Sequence, residues 1–269
     1  MGKIDATARV ADGATIAEDV EIGPYCIVGP HVELGPGVRL LSHVSVTGHT
    51  SIGARTVVYP FASLGTPPQS VHYRGGDTRL VIGADCQIRE GCTANTGTED
   101  GRGVTRIGDG CFMMVGSHIA HDCDVGNHVT FANNAVLAGH VSVGDYVVFG
   151  GQAAVRQFVR IGAGVMIAGL TGIRADIIPW SMVEGRIGHL AGLNIVGLRR
   201  RGFSKADIQR LRQTYQRLFF GPGTFRSRVE AVAADKGDPP VADVIDFIIA
   251  SGDRPITMGV RRAQANAEP

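Results

Sequence analysis

His118, His121 and Asp122 fall within HIAHD of the segment SHIAHDCDVGN. An imidazole beside a carboxylate suits general-base chemistry. The carboxylate can fix the tautomer and orientation of the ring while the other nitrogen accepts a proton. Three imidazoles, here His118, His121 and His140, could instead hold Zn²⁺. The pattern leaves both readings open. A second feature is one of charge. Between Glu184 and Phe220 the chain carries Arg186, Arg199, Arg200, Arg201, Lys205, Arg210, Arg212 and Arg217 against only Glu184 and Asp207. Such a run is either a solvated helix face or an anion site, because a guanidinium presents a fork that matches phosphate oxygens.

Holding these groups requires a rigid frame, and the sequence supplies one built on hexads. Apolar residues recur at Ile4, Val10, Ile16 and every sixth position to Leu64, then at Ile82, Ile88 and Ala94, then from Ile107 through Ile119, Leu137 and Val155 to Ile173. Glycine often follows this slot, and a small or branched residue stands two before it. Two residues apart on a strand point the same way, so both positions face inward. Three hexads make one triangular coil, and coils stack about 4.8 Å apart through parallel strand hydrogen bonds. The expected fold is an all-β parallel β-helix over residues 1–189, followed by a small α-helical C-terminal domain over 190–269. All five cysteines fall two before a slot and are expected to be buried, inert thiols. The 38 glycines and 6% aromatic content fit a narrow core with many corners.

The ladder breaks twice, at 65–81 and 96–106, where loops must leave the coil. Loops on a rigid scaffold are where binding residues tend to sit. Stacking arithmetic sharpens the site. Gly139 stands one full coil after His121, which leaves an opening beside the imidazole, and Gln157 stands one coil further. His140 is likewise one coil after Asp122. In the tail, Ser204 with Asp207 three later reads as an N-cap opening a helix over KADIQRLRQTYQRLFF. Two more helices are expected in FRSRVEAVAADK and VADVIDFIIAS, with the last dozen residues frayed.

A net charge of +1 gives no general argument for nucleic acid or a membrane surface. No apolar run approaches the roughly 20 residues of a membrane span. The opening MGKIDATARV has no apolar signal core, so a cytoplasmic protein without stable membrane insertion is expected.

The runs EIGPYCIVGPHVELG, HIAHDCDVGN, FANNAVLAGHVSVGD, FGGQAAVRQF and NIVGLRRRGFS resemble, in this order, segments of the bacterial UDP-N-acetylglucosamine acyltransferase family, hexapeptide-repeat enzymes that open lipid A synthesis. The resemblance implies a left-handed coil and an active homotrimer with sites between subunits. It implies transfer of a (R)-3-hydroxyacyl chain from acyl carrier protein to the 3-position of a UDP-sugar, either UDP-N-acetylglucosamine or its 3-amino analogue. No metal or cofactor beyond the donor's own phosphopantetheine is implied. On this likeness His121 is the general base, Asp122 orients it, and the Gly139 backbone N–H binds the oxyanion. Gln69, His72, His118, His140, Gln157, Asn194, Arg200 and Arg201 match substrate contacts, and Gly169 matches the position that gauges acyl length. Ser70, His72, Arg156, Val196 and Asn95-Thr96 depart from the commoner family pattern. A trimeric β-helix zinc hydratase, another hexapeptide-repeat sugar-nucleotide acyltransferase and a purely structural or binding solenoid are the alternatives.

Overall fold

The computed structural model describes residues 3–234, 237 and 239–260. From Lys3 to Ile173 the chain winds through short strands, most of two residues, whose second member is the slot residue. Every strand of this stretch pairs in parallel with the one a full coil away, giving three sheets that, with two strands beyond Ile173 added to the first, hold eleven, nine and eight strands among the described residues. The registers Ile119↔Leu137, Leu137↔Val155 and Val155↔Ile173 each span three hexads, as the period requires. From Ile22 to Ile173 no slot residue is more than 5% exposed. Ile4, on the outermost coil, is 51% exposed because no coil covers it from the other side. The five cysteines are buried and unpaired.

Most corners follow one rule. The residue three after the slot takes a left-handed backbone, as at Asp122 (φ 59°), His140 (φ 63°) and Phe158 (φ 66°). Its N–H donates to the preceding coil: His140 N–H to His121 O at 3.0 Å, and Phe158 N–H to Gly139 O at 3.2 Å. The residue two after the slot has no part in the ladder through its N–H. This is why proline is tolerated there at Pro24, Pro30, Pro36 and Pro60.

The two excursions are shorter than 65–81 and 96–106. Leu64 pairs with Ala94, and Ala94 with Ile119, so each of these two turns is longer than a three-hexad coil. The loops proper are residues 67–78 and 96–103, because Arg79–Ile82 and Val104–Ile107 form four-residue strands that pair with each other. Polar Arg79 and Arg106 escaped the apolar pattern, but they alternate outward in those strands.

Beyond Ile173, Ser181–Glu184 continues the stack in parallel and His189–Leu193 folds back antiparallel, closing the sheet. Four helices follow among the described residues: α1 (Ile195–Arg200), α2 (Lys205–Phe220), α3 (Phe225–Ala233) and α4 (Val241–Ser251). The short α1 has no counterpart in the periodicity, being too brief to show one. The Ser204–Asp207 capping box is present. Buried Asp176 ties the tail to the last coil, accepting from Arg160 N–H at 2.8 Å and from Arg254 at 3.0 Å through each carboxylate oxygen. The fraying expected of the last dozen residues falls, from 261 onward, outside the described residues. No helix among the described residues is long and apolar enough to cross a membrane.

Candidate active site

His121 sits at the corner that ends the second sheet, two residues past Ile119, and is 7% exposed. Its Nδ1 lies 2.8 Å from Asp122 Oδ2. Asp122 is fully buried, and the second loop wraps its carboxylate. Thr98 N–H donates to both oxygens at 3.1 Å and its hydroxyl to Oδ2 at 2.6 Å. Arg102 N–H and Gly103 N–H donate to Oδ1 at 2.8 and 3.1 Å. Burial opposes the charge. The hydrogen bonds from Thr98 and His121, with the nearby His140, outweigh it, and the carboxyl titrates below its ordinary range. A carboxylate so held accepts the Nδ1 proton of His121 and leaves Nε2 as the basic nitrogen.

Gly139 lies where the stacking arithmetic puts it. A Cβ built there would stand 2.5 Å from His121 Cε1 and 2.7 Å from Nε2, so only glycine leaves the ring its place. Its N–H, two after the slot, has no acceptor among the described residues. The free donor is a property of the corner; its place beside His121 makes it useful.

His118 shares a 2.7 Å hydrogen bond between Nδ1 and Thr93 Oγ1. Burial, then the neighbouring His121, lower its pKa. His140 stacks on Phe158, with ring centroids 4.5 Å apart, and meets His121 edge-on. Burial lowers its pKa, as do His121 and Arg102, against the pull of Asp122. Both rings are therefore held toward the neutral form.

A cleft of about 820 Å³ opens on this face. It is lined by Gln69, His118, His121, Gly139 and Gln157 of the expected residues, together with Thr93, Arg156 and Arg174. The other expected contacts lie elsewhere on the chain. His72 is exposed in the first loop and donates its N–H to Ser70 Oγ. Asn194 caps α1, accepting from Gly197 N–H at 2.9 Å and donating to Gly164 O at 2.9 Å. Arg200 is exposed, and Arg201 lies over the Tyr146 ring at 3.5 Å, on a different corner. Gly169 is exposed at the opposite edge of the cleft's sheet and does not line the cleft. A second cavity of about 790 Å³, between His189–Leu193 and α2, holds none of the expected residues.

The zinc set is not assembled as expected. The possible ligand atoms that converge are those of His121, Asp122 and His140, without His118. Asp122 has no lone pair to spare, since five protein donors already claim about four acceptor positions.

Thr98, Gly101, Arg102 and Gly103, all in the second loop, are absent from the sequence reading. Their register is lost once inserted residues break the coil count. The glycine cluster GTEDGRG was the available signal. Phe158 stands one coil after His140 and was within reach of the same arithmetic.

A family model described as "Udp N-acetylglucosamine O-acyltransferase; Domain 2" matches residues 176–257, and the bacterial transferase hexapeptide model matches 105–139. The acyl-[acyl-carrier-protein]–UDP-N-acetylglucosamine O-acyltransferase of Azorhizobium caulinodans is 58% identical over 252 residues, 93% of each chain. That of Rhizobium johnstonii is 48% identical over 260 residues, 96% of each. The solved structure of LpxA from Acinetobacter baumannii superposes with a TM-score of 0.90 at 40% identity, covering 96% of this chain and 99% of that one. The β-helix is left-handed, as in the architecture these relatives share. The chain belongs to the UDP-N-acetylglucosamine O-acyltransferase family.

Proposed function

We propose that this chain transfers a (R)-3-hydroxyacyl group from acyl carrier protein to the 3-position of UDP-N-acetylglucosamine, the step that opens lipid A synthesis. The observation that carries the reading is the alignment of Asp122, His121 and Gly139. A buried ionised carboxylate orients an imidazole whose far nitrogen faces a side-chain-free position with an unused N–H.

His121 Nε2 takes the proton of the sugar 3-hydroxyl as that oxygen attacks the thioester carbonyl. The developing oxyanion is stabilised by the Gly139 N–H. Collapse breaks the C–S bond, and the departing phosphopantetheine thiolate takes the proton back from His121. The products are the 3-O-acyl sugar and free carrier thiol, and the imidazole is restored. The acyl chain runs along the apolar floor of the cleft past Val136, Ala154 and Gly172. His118, held by Thr93, and His140, held by Phe158, serve as neutral hydrogen-bonding partners for the sugar and the pantetheine, with Gln69 and Gln157 beside them. The chemistry needs no cofactor beyond the carrier's own arm.

Asn194, Arg200 and Arg201 complete the nucleotide site in this reading only if a second copy brings them to the cleft, which supports a homotrimer with sites between subunits. His72 approaches the sugar from the first loop, and the protein works in the cytoplasm, where its soluble substrates are. The same geometry would acylate a 3-amino sugar, since a neutral amine also surrenders a proton on attack. Side-by-side assays of the two UDP-sugars, with carrier proteins bearing several chain lengths, assign acceptor and donor. His121→Ala should abolish transfer while fold and assembly persist by circular dichroism and light scattering. Retained activity would remove His121 as the base.

A further inference from the structure

Ala120, Ala138, Arg156 and Arg174 each stand one residue after the slot on four successive coils, because Ile119, Leu137, Val155 and Ile173 are in register. The two alanines leave room beside His121 and Gly139. The two arginines follow one and two coils beyond Gly139, about 4.8 Å apart along the stack, on the wall of the same cleft. Arg156 N–H donates to Ile173 O at 2.9 Å, which fixes the spacing of the two backbones.

Two other stacked arginines on the solenoid each have an acid one coil away. Arg39 meets Glu21 at 2.8 Å and Arg55 meets Asp85 at 2.7 Å. Arg156 and Arg174 have none. Neither guanidinium has a hydrogen bond or ion pair among the described residues, and no carboxylate lines the cleft. Like charges on adjacent strands repel, and an anion bound between them converts that cost into affinity. Fork geometry and weak hydration fit a guanidinium pair to phosphate oxygens.

We propose that Arg156 and Arg174 form a phosphate-ester subsite inside the catalytic cleft, separate from Arg200 and Arg201. The proposal rests on the acyl-transfer reading, in which both substrates carry such a group. These are the diphosphate of the nucleotide sugar and the phosphodiester of the carrier's phosphopantetheine. Arg156 is two coils, about 10 Å, from His121 along the stack, so the subsite grips a group remote from the reacting atoms.

The test is steady-state transfer by full-length Arg156→Gln, Arg174→Gln and the double variant, each substrate being varied in turn. KM for one substrate should rise about fivefold per variant and about 20-fold in the double, the usual strength of charged hydrogen bonds discounted for exposure, while kcat stays within about twofold. Inorganic pyrophosphate should inhibit the wild type more strongly than the double variant, and the difference should shrink with added salt. A rise confined to UDP-N-acetylglucosamine assigns the subsite to the nucleotide diphosphate; one confined to the acyl donor assigns it to the phosphodiester. The proposal is overturned if both KM values stay at wild-type level. A change in assembly size without a change in KM also overturns it, since the arginines would then serve a subunit contact. If the wild type transfers no acyl group, the acyl-transfer reading itself fails; normal wild-type transfer with an indifferent double variant removes the subsite alone.

Discussion

Asp122→Asn changes one atom in the centre of the site, and the structure determines which way the amide must turn. Oδ1 faces three backbone N–H groups, from Thr98, Arg102 and Gly103, none of which can accept. The amide NH₂ is worst placed there and meets only the shared Thr98 N–H at the other oxygen, so it occupies the Oδ2 place. There the Thr98 hydroxyl at 2.6 Å can rotate to accept from it. The second amide hydrogen then points at His121 Nδ1, 2.8 Å away in the wild type. Nδ1 must become the acceptor, and the ring proton moves to Nε2. In the proposed reading the base is thereby blocked at the atom that receives the sugar proton. The wrong tautomer of a catalytic histidine costs about 10⁴ in kcat in the serine-protease triad, and a loss of about 10³–10⁴ is expected here, with KM nearly unchanged because no substrate contact is altered. Stability should fall by about 1–3 kcal/mol as charged hydrogen bonds become neutral. The assays are single-turnover transfer and ¹⁵N NMR of the histidine rings, which distinguishes Nδ1–H from Nε2–H. A variant within tenfold of wild type, or one whose His121 keeps its proton on Nδ1, would refute the orientation argument.

Gly139→Ala should lower kcat by about 100-fold, the effect of displacing a catalytic group by about 1 Å, because the added carbon would stand 2.5 Å from the His121 ring; an unchanged melting temperature with lost turnover is the expected pair of readings. Thr98→Val removes a donor from a carboxyl held below its ordinary pKa. That carboxyl contributes stability in full above its unfolded pKa of about 3.9 and loses it as pH falls through the folded value. The variant should therefore be less stable by about 1–3 kcal/mol at pH 7 and approach the wild type on acidification, as read from urea midpoints at several pH values; a gap that is constant with pH would contradict the role. Gly169→Met should shift acyl preference toward shorter chains in competition assays with mixed acyl carrier proteins, and an unchanged product profile would reject Gly169 as the ruler.

The hexad period placed the coil, the slots and the corner of His121, because each is dictated by local alternation and a fixed stacking distance. The same count put Gly139 against His121 across a coil boundary, a tertiary contact legible without any structure. What the count could not reach was everything that leaves the period. Arg200, Arg201 and Asn194 were legible as residue types near the sequence's basic run, yet one chain keeps them apart from the cleft. Their grouping with His121 came from family likeness, and in the proposed reading a second copy brings them together.

The second excursion shows why an insertion can matter more than the repeat it interrupts. The residues inserted beyond a normal coil give the chain slack enough to turn back over the Asp122 corner. Gly101 passes so close that a Cβ would lie 2.5 Å from the carboxylate carbon, and the backbone N–H groups of Thr98, Arg102 and Gly103 converge there because this segment has no ladder to satisfy. A corner in an unbroken coil exposes its residue to water, where an aspartate next to a histidine would be a weakly held, solvent-screened partner. Burial without donors would protonate the same aspartate. The loop supplies cover and donors together, so the carboxylate is both dry and charged. The repeat sets where the imidazole stands, and the break in the repeat makes its partner strong enough to orient it.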